Sequence, residues 1–270
     1  MAFQAPPVLQ FAALLVAGTL TVFAIGARIF LPGTGLTGIA SQFLREDWKY
    51  LGLAWIVTQG VNEISKYHID LQFTGLIYAI EGERVAMFQA YTHPWLTLFF
   101  TGVYFIGFPF IVLFTYFVVK SHSREDARRY VAGYLTTTLL AVPFFVFFPV
   151  GVSAARADVA PLIYDVHPII TAGTLSTDTL LKAFPSLHTG LSLLAALYGH
   201  RANRVYGWTI SILAVLVVLS TFYGGIHWLS DAVVAVILAL VADRLSRRIR
   251  DPATIVADLR RRVTSHPAEE

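Results

Sequence analysis

Seven long apolar runs constrain this chain more than any other feature. They lie at roughly Val8–Phe30, Trp48–Lys66, Pro94–Val119, Tyr130–Val150, Pro185–His200, Val205–Tyr223 and Trp228–Val241. A helix needs ~20 apolar residues to cross the ~30 Å of hydrocarbon in a bilayer, because its backbone polar groups must pair internally there. The runs predict an all-α, polytopic transmembrane helix bundle. Composition agrees: 56% of residues are hydrophobic and 14% charged, where a soluble domain carries about 25% charge. The second run is interrupted by Gln59, Asn62 and Glu63 and has an interfacial helix as its alternative reading. The first run lacks a basic flank before it and a small-residue cleavage pattern after it, so it reads as a retained span.

Charge placement orients the bundle. With seven spans and the C-terminus inside, sixteen of the 20 Lys and Arg residues fall on the cytoplasmic side. Only Lys66, Arg84, Arg156 and Lys182 fall outside, the asymmetry that the positive-inside rule describes. Two long outer segments result. Tyr67–His93 mixes apolar and charged residues (Leu76, Ile77, Tyr78, Glu81, Glu83, Arg84), as an interfacial amphipathic helix does. Gly151–Phe184 contains Pro161, Pro168 and Gly173 and reads as an irregular loop. From Arg244 the chain is basic and amphipathic, suited to an anionic cytoplasmic leaflet. This layout divides the chain into an extra N-terminal span with its loop (1–47), a membrane domain (48–246) and a basic cytoplasmic tail (247–270).

Two polar clusters sit at the outer ends of spans, where ionisable residues are costly and often functional. One is Lys182-Ala-Phe-Pro-Ser-Leu-His188-Thr-Gly190; the other runs from Ser220 through Tyr223-Gly224-Gly225-Ile226-His227-Trp228 to Asp231. A single hairpin of two helices separates them and returns the second to the membrane face of the first. His227 and Asp231 are four apart, so on a helix they share a face. The carboxylate can then fix the imidazole tautomer and turn the other nitrogen outward as a base or nucleophile. Gly224 and Gly225 permit a tight turn. Pro185 reads as a first-turn helix residue, with Ser186 and His188 projecting from the same turn and helix N–H groups open to an anion. A nucleophile, an anion cradle and a second imidazole are the parts that displacement at phosphorus requires.

On these residues the chain resembles the type 2 phosphatidic acid phosphatase superfamily, membrane enzymes with a six-helix core. Pro185-Ser186-Leu187-His188 matches one signature of that family. Ser220, His227 and Asp231 match another at the correct spacing. The likeness implies a six-helix phosphatase-type core plus an extra N-terminal span, and a phosphohistidine mechanism without metal or other cofactor. The arginine of the second matched signature is Thr221 here, and the family's Lys with a later Arg-Pro is not visible. Arg156 and Lys182 are the nearest candidates to replace those phosphate clamps. The departures resemble the inositol phosphorylceramide synthase-like, inositolphosphotransferase branch of head-group transferases. A phosphodiester carries one charge and a phosphomonoester close to two, so a site poorer in cations suits the diester.

The resemblance implies these roles: His227 attacks phosphorus, Asp231 orients it, and His188 protonates the leaving oxygen. Ser186, Ser220, Lys182 and Arg156 would bind the phosphate. The expected partner is a lipid phosphate or phospholipid in the bilayer, with no nucleic acid involved. The rival reading is a transporter or channel with His188, His227 and Asp231 as an ion or proton path. A two-histidine, one-carboxylate metal site is a further alternative. His68, His93, His122, His167, His200 and His266 receive no role.

Overall fold

The computed structural model describes residues 6–33, 36–66, 73–177, 180–248 and 257. Apart from Ala257, the predicted basic tail beyond residue 248 lies outside them. So do the first residues of the Tyr67–His93 segment, His68 among them, and His266.

The described residues form a helical bundle. In chain order come α1 (Pro7–Phe30), α2 (Leu36–Gln42), α3 (Trp48–Lys66) and the short α4 (Thr74–Glu81). A 29-residue helix, Pro94–His122, follows; it comprises α5 (Pro94–Gly102), a π-helical turn (Val103–Gly107) and α6 (Phe108–His122). Then come α7 (Arg124–Phe147), α8 (Pro168–Thr177), α9 (Leu187–Ala202), α10 (Arg204–Tyr223) and α11 (Leu229–Ser246). Among the described residues, four stretches are long and apolar enough to cross a membrane: Pro7–Phe30, Pro94–His122, Arg124–Phe147 and Arg204–Tyr223. The other three predicted runs are also helices. Among them α9 has only 16 residues, and α11 carries Asp231, Asp243 and Arg244.

Helix ends follow capping chemistry, not the apolar runs. The run predicted from Tyr130 starts instead at Arg124, because the Ser123 hydroxyl accepts the Asp126 N–H at 3.1 Å and Glu125 and Asp126 occupy the first turn. Likewise the Asn203 side chain accepts the Tyr206 N–H at 2.9 Å to open α10. Pro94 stands at the start of α5, as its missing N–H allows.

Apolar packing is unequal around the bundle. Leu14, Leu20, Ile25 and Ile29 of α1 are exposed, as are Trp208, Ile212 and Val215 of α10 and Val233 and Ile237 of α11. Exposed bulk of this kind is stable only against lipid or another apolar partner. Only 6% of the apolar stretch of α1 is buried, against 56% for Pro94–His122, so α1 is peripheral. α3, whose alternative reading was an interfacial helix, packs along α7; Val61 joins Ala141 and Phe145 in one cluster.

The inner pair, α9 and α10, is held close by small residues, as membrane helices commonly are. A Cβ on Gly207 would meet the His200 Cα at 2.6 Å. At the far end from the polar clusters, Arg201 of α9 binds both oxygens of Asp243 on α11 at 2.9 and 3.0 Å. Arg247 adds a 2.6 Å bond to the same carboxylate.

The segment expected to be an irregular loop contains α8, which packs against α1. Pro168 opens this helix, and His167 Nδ1 accepts the Ile169 N–H at 3.2 Å. α4 also departs from a simple amphipathic surface helix. It turns Thr74, Ile77 and Glu81 inward and leaves Leu76 and Ile80 exposed. Beyond its end the Tyr78 hydroxyl donates to Glu83 Oε1 and the Asp158 N–H donates to Glu83 Oε2, each at 2.7 Å.

Two outcomes follow. Gly207→Ala should destabilise the protein by about 1–3 kcal/mol, since backbone must shift to admit a methyl group; thermal unfolding in detergent measures this. The Tyr78 hydroxyl and the Asp158 N–H hold the Glu83 carboxyl below its usual 4.5. A depressed carboxyl stabilises the fold above the unfolded value and loses that contribution as pH falls through the folded one. The wild type should therefore lose thermal stability below about pH 4.5 more steeply than Glu83→Gln, and equal slopes would refute the assignment.

Candidate active site

The hairpin α9–α10 and the start of α11 bring the two polar clusters together. His188 Nδ1 lies 3.3 Å from His227 Nε2. On its other side, His227 Nδ1 is 3.1 Å from Asp231 Oδ2. The ionised carboxylate only accepts, so Nδ1 of His227 carries the proton and Nε2 presents its lone pair. By the same logic His188 donates from Nδ1 to His227 Nε2.

Local backbone chemistry sets up this line of groups. α10 ends in Tyr223, and Gly225 then adopts φ +70°. A Cβ at Gly225 would lie 2.6 Å from the Ala160 carbonyl oxygen, so both the turn and the close approach require glycine. His227 follows in the connector, and Trp228 caps α11. The Trp228 N–H donates to Asp231 Oδ2 at 2.8 Å, while its indole N–H donates to the Gly151 carbonyl at 2.9 Å. Trp228 and Asp231 are both fully buried.

His188 is fixed by aromatic rings. Tyr104 stacks on it at 4.6 Å between centroids, and Phe108 lies at 4.4 Å. Both come from the π-helical turn and the residue after it. The spacing of aromatic residues in this run resembles ordinary core packing, so nothing in the sequence singles these two out.

Both histidines line a cavity of about 70 Å³, together with Tyr104, Phe145, Val152, Tyr164, Lys182, Ala183, Leu187 and Ile226. Lys182 is held there by a short parallel pairing of two outer segments. Ala183 N–H donates to the Val150 carbonyl at 2.9 Å and Val152 N–H to the Leu180 carbonyl at 3.0 Å.

The other residues assigned to phosphate lie elsewhere. Ser186 is the N-cap of α9, and its hydroxyl accepts from the Thr189 N–H and hydroxyl, each at 3.2 Å. Pro185 therefore precedes the cap; it is not in the first turn. The Ser220 hydroxyl donates to the Val217 carbonyl of its own helix at 2.6 Å. The Arg156 guanidinium lies over the Tyr78 ring, 5.6 Å from its centroid. None of Ser186, Ser220 and Arg156 lines the cavity.

Sequence reasoning missed the inward role of Glu81. It is 6% exposed, and its carboxylate accepts the N–H groups of Leu229 and Ser230 at the start of α11, at 2.9 and 2.5 Å. A signal existed: an acid at the last position of α4 opposes that helix's dipole. Among the described residues, no group of three or more His, Asp or Glu is arranged to hold a metal ion.

A search of curated proteins finds no match. The crystal structure of Aquifex aeolicus LpxE is similar at 18% identity and a TM-score of 0.49, over 62% of this chain and 94% of that one. A family model described as the PAP2 superfamily matches residues 81–245, a stretch that contains both histidines, Asp231 and Glu81. The chain belongs to the PAP2 superfamily.

Proposed function

We propose that the protein transfers phosphoryl groups of lipids through a phosphohistidine on His227. The observation that carries this reading is the line His188–His227–Asp231, with contacts of 3.3 and 3.1 Å, whose two imidazoles line one cavity while Asp231 is buried behind them. Asp231 keeps the Nδ1 proton on His227, so the Nε2 lone pair faces the cavity. Phosphorus approaches between the two rings, which requires His188 to give up its direct contact. A bond forms from His227 Nε2 to phosphorus as the bond to the leaving oxygen breaks, and His188, in its imidazolium form with both ring nitrogens protonated, hands its Nδ1 proton to that oxygen and is left as the neutral imidazole. The acceptor, water or a lipid hydroxyl, then attacks phosphorus. His188 takes the acceptor's proton and the phosphorus–nitrogen bond breaks, restoring the enzyme.

Lys182 lines the cavity and is the residue we assign to the phosphoryl oxygens. Ser186, Ser220 and Arg156 do not line the cavity and receive no phosphate contact in this assignment. A site with one lining lysine suits a singly charged phosphodiester, which favours head-group transfer over monoester hydrolysis. The small cavity suits a phosphate group, and it leaves the lipid tail to the apolar flank of the bundle.

The charge distribution supports an extracytoplasmic site. The histidines lie at the opposite end of α9 and α11 from Arg201, Asp243 and Arg247, and basic residues mark the cytoplasmic end. The catalytic unit would be the 48–246 membrane domain, with α1 added at its edge.

The decisive measurement incubates purified protein with lipid phosphomonoesters, pyrophosphates and diesters. Free phosphate marks a phosphatase, and head-group exchange marks a transferase. His227→Ala should abolish turnover without loss of membrane insertion. Asp231→Asn should lower kcat by about 100-fold or more, and Lys182→Ala should mainly raise KM. Activity should persist in EDTA. Full turnover by His227→Ala on every accepted lipid would overturn the mechanism.

A further inference from the structure

Asp231 has two competing uses. As the third residue of α11, an acid is well placed to cap its own helix by accepting the free backbone N–H groups of the first turn. The proposed chemistry instead needs its carboxylate on His227. Asp231 Oδ2 already serves the Trp228 N–H and His227 Nδ1 together, while Oδ1 has no hydrogen-bond partner. Trp228, the N-cap, has no side-chain acceptor to satisfy the remaining donors.

We infer that Glu81 is a positioning residue: it caps α11 from another helix and so leaves Asp231 to His227. Its carboxylate takes the N–H groups of Leu229 and Ser230, the two donors that would otherwise compete for Asp231. The placement costs α4 an acid at its C-terminal end, where the helix dipole is unfavourable. That charge is offset by the positive end of α11, which it meets. Gly82, at φ +59°, lets the chain turn away directly after Glu81, so the side chain can remain buried. Without Glu81, the open carboxylate oxygen of Asp231 is the next acceptor on this turn. Asp231 would tilt toward the backbone, and His227 would lose its fixed tautomer and aim. Glu81 touches neither histidine in this arrangement; it acts through Asp231.

The inference rests on the reading of His227 as nucleophile, and the test separates the two. Purified full-length Glu81→Gln, Glu81→Asp, Leu229→Pro, His227→Ala and each Glu81 variant combined with Leu229→Pro are assayed on a lipid that the wild type turns over, with thermal unfolding measured in parallel. Leu229→Pro deletes one donor to Glu81 at the first helical position, where proline is tolerated, and the extended Trp228 before it (φ −92°, ψ 160°) suits a following proline. Glu81→Gln should lower kcat roughly 10- to 100-fold, the scale on which a partner orienting a functional histidine acts, with KM changed less than about twofold. Leu229→Pro alone should keep kcat within about twofold of the wild type, with its unfolding midpoint near that of the wild type, because Glu81 still holds the Ser230 N–H; added to Glu81→Gln it should restore part of the lost kcat, because it deletes one of the two donors that compete for Asp231. Glu81→Asp, which keeps the charge, should retain more activity than Glu81→Gln. A Glu81→Gln loss that Leu229→Pro does nothing to restore, or one that only follows the folded fraction, would overturn the role of Glu81. If Glu81→Gln does not fold, the same comparison is made in Glu81→Asp, where a gain in kcat on adding Leu229→Pro supports the role and no gain overturns it. Activity retained by His227→Ala would instead overturn the nucleophile itself.

Discussion

The start of α11 is the point on which the rest of the site depends. A helix begins there with backbone donors that have no partner of their own, beside a buried imidazole and a buried carboxylate. Asp231 accepts from both the Trp228 N–H and His227, so one oxygen joins the helix end to the candidate nucleophile. Because Trp228 and Asp231 are fully buried, a backbone donor left unpaired beside them costs free energy. The outer elements are arranged to meet that demand. Glu81 reaches in from α4, Trp228 anchors the Gly151 carbonyl, and Gly225 lets the chain pass close to Ala160.

The bundle supports this end by being rigid at the other. Arg201 and Arg247 converge on Asp243, pinning α9 to α11 at the end remote from the histidines. Gly207 lets α10 approach α9 closely, and a Cβ on Gly190 would lie 3.3 Å from the Ala235 carbonyl, between α9 and α11. With both helices held along their length, the backbone segments that carry the two imidazoles stay close to one another. Tyr104 and Phe108 then hold the His188 ring from the side.

Much of this is legible in the sequence. The apolar runs mark the helices, and Ser-Leu-His with His-x-x-x-Asp marks the residues that meet. The differences between expectation and structure are of one kind. Pro185 stands one step earlier than a first-turn proline because the cap is Ser186. α8 is hidden because prolines near a loop mark a break as readily as a helix start. Glu81 looks like a surface charge because its partner, the start of α11, is 148 residues away.

What the sequence by itself determined is the class of protein and which two imidazoles and which carboxylate meet. Hydropathy is a sum over neighbours along the chain, and a four-residue spacing puts His227 and Asp231 on one face without help from elsewhere. What only the tertiary structure decided is which cations and carboxylates face the same space. Lys182 reaches the cavity while Arg156 rests on Tyr78, and Glu81 turns inward to meet the start of α11. Those outcomes depend on contacts between segments far apart in the chain, where a buried charge is tolerated only if a distant backbone end or ring is there to meet it.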